Sequence, residues 1–152
     1  MSMLNTARVW RAAEANPIKR YLMEYHTLVC RRDALLQELE HLRAAAQRTS
    51  GRITAEIRSA APNPGSREDA MLRVVDAQTR LQTLVDHVCE ALLVRLALID
   101  RLSDERHKTL LTLRYINALP WETIGYQMHY ERTQLFEIHT AALREAQTLL
   151  EG

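Results

Sequence analysis

Arg132, Thr133 and Gln134 are the side chains in this sequence whose types and order best suit recognition chemistry. Arginine presents a planar fork of donors and glutamine an amide with both donor and acceptor. Each can therefore make paired hydrogen bonds to the edge of a base, arginine to guanine and glutamine to adenine. At the start of a helix such residues reach outward together, as they must to meet the floor of a major groove. The same three residues also suit a solvated helix face, where arginine, threonine and glutamine are common. Residue type and spacing leave both readings open.

Other chemistries find little support. The six histidines fall into no HExxH or other ligand spacing, and the chain holds no glycine-rich phosphate loop, GxSxG turn or recognisable acidic pair. Cys30 and Cys89 are too few and too far apart for a zinc site, and an intracellular setting disfavours a disulfide, so both are expected as ordinary thiols. No catalytic residue, no metal and no cofactor is expected, and the chain is not expected to be an enzyme.

The elements that must position Arg132 to Gln134 lie between Leu110 and Leu143. Apolar residues recur at spacings near three and four: Leu110, Leu111 and Leu113, then Ile124 and Met128, then Leu135, Ile138 and Leu143. This reads as a helix, a break, a short helix, a three-residue turn and a longer helix, the layout of a helix-turn-helix. Pro120 suits the start of the short helix and Glu122 places negative charge in its first turn, so that helix is predicted to begin near Trp121. Trp121, Tyr115, Tyr126 and Tyr130 are expected to fill the core with polar tips at the surface rather than to form a stacking platform. His139, beside Ile138, is expected to be structural, and Phe136 falls on the exposed side.

At these residues the chain resembles sigma-factor region 4, through the run LxLRYI-x-x-L-x-W-E-x-I-x-x-x-M-x-Y-x-R-x-x-L-x-x-I-H-x-x-AL, and within that group phage-encoded ArpU-type regulators of late transcription. The resemblance covers Asp104 to about Leu149. It implies that the second helix of the motif enters the major groove of double-stranded DNA with Arg132, Thr133, Gln134 and Glu137; Tyr130, Trp121 and Arg144 complete the candidate DNA-binding set without being carried over from the family. It also implies host RNA polymerase as a second partner. The chain departs from the family pattern in three ways: the turn glycine is His129, the Ser/Thr caps are Pro120 and Glu131, and an alanine between the helices is Gly125. Histidine holds a left-handed turn better than most non-glycine residues. Glu131 suits a helix N-terminus but repels the phosphates that such an end attracts.

Charge runs against strong DNA binding. Residues 102 to 152 carry five basic and seven acidic side chains, a balance of minus two, whereas nucleic-acid modules usually show a basic footprint. Low glycine and proline with abundant Ala, Leu, Glu and Arg point to an all-α protein with long helices. No apolar run reaches the roughly 18 to 20 residues of a membrane span and no signal layout opens the chain, so a cytoplasmic location without membrane contact is expected.

Upstream, Leu4, Val9 and Trp10 suggest a short helix or docking arm, and Asn16-Pro17 a helix start. Tyr21, Leu28, Leu35 and Leu42 recur every seven within a long amphipathic helix, matched by Val74, Leu81, Val88 and Leu102 in a second. Between them Arg48 to Arg67 reads as a linker, mobile near Pro62 to Ser66, with Ser66 and Asp69 as a cap. The two rods would form an antiparallel hairpin in which residues at one level have numbers summing to roughly 119, so that Leu39 meets Leu81 or a neighbour. Cys30 and Cys89 would point outward, and Ser103 would cap the next helix.

The resulting expectation is a fold of long antiparallel coiled-coil-like hairpin (1–102, linker about 48–67) followed by a sigma region 4-like helix-turn-helix (103–152). The function expected is a phage transcription regulator that binds DNA. The alternatives are a protein-interaction or homo-oligomerising module with little DNA contact, and the recognition subunit of a phage packaging terminase.

Overall fold

A computed structural model describes residues 16–56 and 64–152, so the arm around Trp10 lies outside the described residues. Among those residues every regular element is helical: α1 (Pro17–Glu56), α2 (Pro64–Asp100), α3 (Glu105–Leu111) running into a π turn (Thr112–Ile116), α4 (Trp121–Met128) and α5 (Arg132–Glu151). None of these helices is long and apolar enough to cross a membrane.

Pro17 opens α1 as expected, with the Asn16 carbonyl accepting from the Arg20 N–H at 3.0 Å. The linker differs from expectation. Helix α1 continues past Gln47 and through Gly51 to Glu56, and α2 already begins at Pro64. A single glycine inside a helix costs only about 1 kcal/mol relative to alanine, which does not stop a long one. Pro64 and Gly65 are tolerated because N–H groups of a first turn have no helical partner. The Ser66 cap is therefore not used as such. Residues 57–63 lie outside the described residues.

The contacts gather the chain into two compact units. In the unit of residues 28–56 and 64–88, Leu39, Val74 and Ala77 are buried together, with Leu42, Ala46 and Leu81 packed around them. Glu38 and Arg80 form an exposed ion pair at 3.9 Å, of little energetic weight. Thr49 sits by Asp69 and Ala70, so the two helices run antiparallel in this unit. Cys30 is exposed, and Met71, Leu72 and Val75 are large exposed apolar residues on α2.

In the unit of residues 16–27 and 89–152, Ile18 and Leu22 of α1 are buried with Leu98, Ile99 and Leu102 of α2 and with Leu110, Leu111, Ile124 and Leu135. Burying each such side chain is worth about 1.5 to 3 kcal/mol. Arg95 enters this core at 5% exposure. Its Nε and Nη2 donate to the Tyr21 carbonyl at 3.0 and 2.8 Å, Nη1 donates to the Ala91 carbonyl at 3.1 Å, and Nη2 also reaches Glu24 at 3.3 Å. A buried guanidinium is tolerated when its donors are met in this way. The pair Glu24 and Arg95 sums to 119, as the heptads anticipated, and Glu38 with Arg80 sums to 118. Cys89 is exposed.

The cap of α3 is Asp104 rather than Ser103: its side chain accepts from the Arg106 N–H at 2.9 Å. The Ser103 N–H instead donates to Glu145 on α5 at 2.6 Å, and the His107 ring meets the same carboxylate at 3.0 Å. Those bonds, the Ser103 N–H first, hold Glu145 below the usual carboxylate range.

Candidate functional site

Helix α4 begins at Trp121 because Pro120, in an extended conformation at φ −63° and ψ 152°, can precede a helix but not continue one backwards. It ends at His129, whose φ of 60° and ψ of 41° are left-handed. That conformation turns the chain so that the Tyr130 N–H donates at 3.1 Å to the Gly125 carbonyl, which also accepts from the His129 N–H. Gly125 allows the close approach: a Cβ there would lie 3.0 Å from the Tyr130 carbonyl oxygen and 3.2 Å from Leu135 Cδ1. Glu131 precedes α5 in an extended conformation, and its N–H donates to Gln134 Oε1 at 3.3 Å.

Helix α5 buries Leu135, Ile138, His139, Ala142, Leu143 and Ala146. Arg132, Thr133, Gln134, Glu137 and Arg144 are all exposed along it, and Trp121 and Tyr130 are half-buried. Arg132, Trp121 and Tyr130 share one cavity of about 560 Å³, lined also by Tyr126 and Leu135. Thr133, Gln134, Glu137 and Arg144 do not line it; Thr133, Gln134 and Glu137 lie within the first two turns of α5, while at 1.5 Å per residue Arg144 is roughly 16 Å further along the axis than Thr133. Tyr126, expected to fill the core, is 84% exposed. Phe136 is half-covered, its ring 5.3 Å from that of Trp121 and 5.5 Å from the Arg132 guanidinium.

Sequence reasoning missed the residues that set Trp121. In the π turn at Thr112–Ile116, the Asn117 N–H donates to the Thr112 carbonyl at 3.0 Å, and Ala118 follows in a left-handed conformation at φ 57°. This wide turn aims Arg114 back over Trp121, 4.7 Å from its ring, while Nη1 donates to the Leu119 carbonyl at 3.1 Å. Tyr115 points inward, its hydroxyl 2.8 Å from His139 Nε2. Burial, and then the charges of Lys19 and Arg114, push the His139 pKa down to about 4, so the ring is neutral at neutral pH. Burial also pushes the Tyr115 hydroxyl pKa up. No signal of local periodicity or spacing marks the pair.

Asp104 is pulled down to about 2, chiefly by the Arg106 side chain, so it stays charged beside α3 and adds to the acidity of residues 102 to 152. Among the described residues no group of three or more His, Cys, Asp or Glu side chains could hold a metal ion. Comparison with protein-family models, with curated proteins and with solved structures finds no match to this chain.

Proposed function

We propose that the chain is a phage-type transcription regulator that binds double-stranded DNA through α4, the His129 turn and α5, used as a helix-turn-helix of the sigma region 4 kind, with host RNA polymerase as its protein partner. The observation that carries this reading is the left-handed turn at His129, which leaves the first turn of α5 projecting Arg132, Thr133 and Gln134 into solvent. In this reading Arg132 and Gln134 contact base edges, Thr133 and Arg144 contact phosphate or sugar, and Glu137 discriminates between bases. Glu131 faces the phosphates and weakens binding to any sequence.

A second reading, a protein-binding module with little DNA contact, is favoured by the seven acidic against five basic side chains of residues 102 to 152. DNA selection followed by anisotropy titration separates the two. Arg132→Ala is expected to lose about 1 to 3 kcal/mol at the selected site and to relax preference at one base pair. Glu131→Ser is expected to tighten binding to DNA of any sequence. If neither wild type nor folded Glu131→Ser binds DNA at low salt, the protein-binding reading replaces this one.

A further inference from the structure

A cavity of about 600 Å³ opens on the other flank of α5, between that helix, the start of α1 and the chain that leaves the π turn. Lys19 and His26 line it from α1, Arg114 from the π turn and Arg132 from α5, and Trp121 and Phe136 form an apolar wall. No carboxylate is among its lining residues. Among the described residues, ion pairs engage Arg32, Arg80, Arg95, Arg106, His107 and Lys108, and Lys19, Arg114 and Arg132 take part in none.

Lys19 feels the charge of Arg114. Burial, and then the charge of Arg114, lower the pKa of Lys19. The Nε2 atom of His26 is buried without a hydrogen-bond partner. Like charges held close in a partly buried site without a counter-charge are unfavourable, and an unpaired buried nitrogen adds to the penalty. An anion entering the cavity relieves the repulsion between the cations.

Three cationic side chains call for more than one negative charge. A carboxylate supplies one, whereas a terminal phosphate group carries close to two near neutral pH and offers three acceptor oxygens. Arginine and lysine pair with phosphate readily, the former through its fork and the latter as a point charge. The volume lies within the roughly 300 to 1,000 Å³ of cavities that hold small organic ligands, and the Trp121 and Phe136 wall suits a flat ring attached to the phosphate. We propose that this cavity binds the terminal phosphate group of a small organic phosphate such as a nucleotide, between Lys19, Arg114 and Arg132. The proposal does not rest on base reading by α5: Lys19 and Arg114 lie off that helix, and Arg132 is the one residue the two readings share.

Trp121 reports on the site once Trp10 is replaced. In Trp10→Phe protein, adenosine monophosphate is expected to change Trp121 fluorescence saturably, and adenosine, which lacks the phosphate, is not. Lys19→Gln should weaken that binding about tenfold or more, as expected for loss of a charge-assisted contact, and Lys19→Arg should retain it. A short duplex that alters Trp121 fluorescence in a Lys19-dependent way, with adenosine monophosphate silent, overturns the proposal in favour of a backbone contact. Equal responses to adenosine and its monophosphate, equal binding by folded Lys19→Gln and wild type, or no response to adenosine monophosphate also overturns the proposal. Should Lys19→Gln melt early, the comparison of adenosine with its monophosphate on the Trp10→Phe protein decides alone.

Discussion

The Tyr115 hydroxyl and His139 Nε2 lie 2.8 Å apart inside the core, joining the π turn to the middle of α5. Both residues are almost fully covered, at 3% and 8% exposure, so water cannot replace either partner. The Trp121 ring closes over the imidazole at 4.8 Å and nearly perpendicular to it. The segment that holds Arg114 against Trp121 is thereby anchored to the helix that carries Arg132.

Tyr115→Phe keeps the ring and removes only the hydroxyl, leaving a buried imidazole nitrogen unpaired. Chemical denaturation at pH 7.5 should show a loss of about 1 to 3 kcal/mol. A midpoint equal to that of wild type would mean the nitrogen finds another partner.

Acid should weaken the fold through His139. Its folded pKa of about 4 lies below the ordinary 6.5, so in the window between them the unfolded chain takes up a proton that the folded chain refuses. Stability is then complete above 6.5 and falls as pH drops toward 4, by roughly 3 kcal/mol at 1.36 kcal/mol per unit. Lys19 and Arg114, the charges that face the ring, reinforce the direction. In His139→Gln, which keeps an acceptor for Tyr115 but does not titrate, urea midpoints measured across this window should change much less with pH.

Leu135 is 2% exposed and touches the space beside Gly125. Truncation in Leu135→Ala leaves a cavity where α4 meets α5 and should cost about 2 to 5 kcal/mol. An unchanged melting temperature would place the side chain outside the core.

His129→Gly should raise stability by about 1 kcal/mol or less. A side chain in the left-handed region costs about 1 to 2 kcal/mol, and glycine's larger loss of backbone freedom offsets part of that gain. Calorimetry that finds a clear loss would show that the imidazole makes a stabilising contact at the turn.

What the sequence determined by itself concerns features decided within a few residues. Helix-forming composition and heptad spacing specify long helices and the absence of strands among the described residues, and proline specifies the starts of α1 and α4. Histidine's tolerance of a left-handed backbone is a local property, and the turn between α4 and α5 uses it at His129. The hairpin register was legible for the same reason, since period and loop length constrain which levels can meet. Gly51 misled because a helix interior outweighs one weak residue, and Ser103 because the true cap, Asp104, is its neighbour with an equally suitable side chain. Only the tertiary structure decided that Tyr115 meets His139 24 residues away, or that Arg95 closes on the Tyr21 carbonyl 74 residues away. The same holds for the meeting of Lys19, Arg114 and Arg132 around one cavity. Those contacts depend on how helices from distant parts of the chain pack, and no local pattern of residues encodes that geometry.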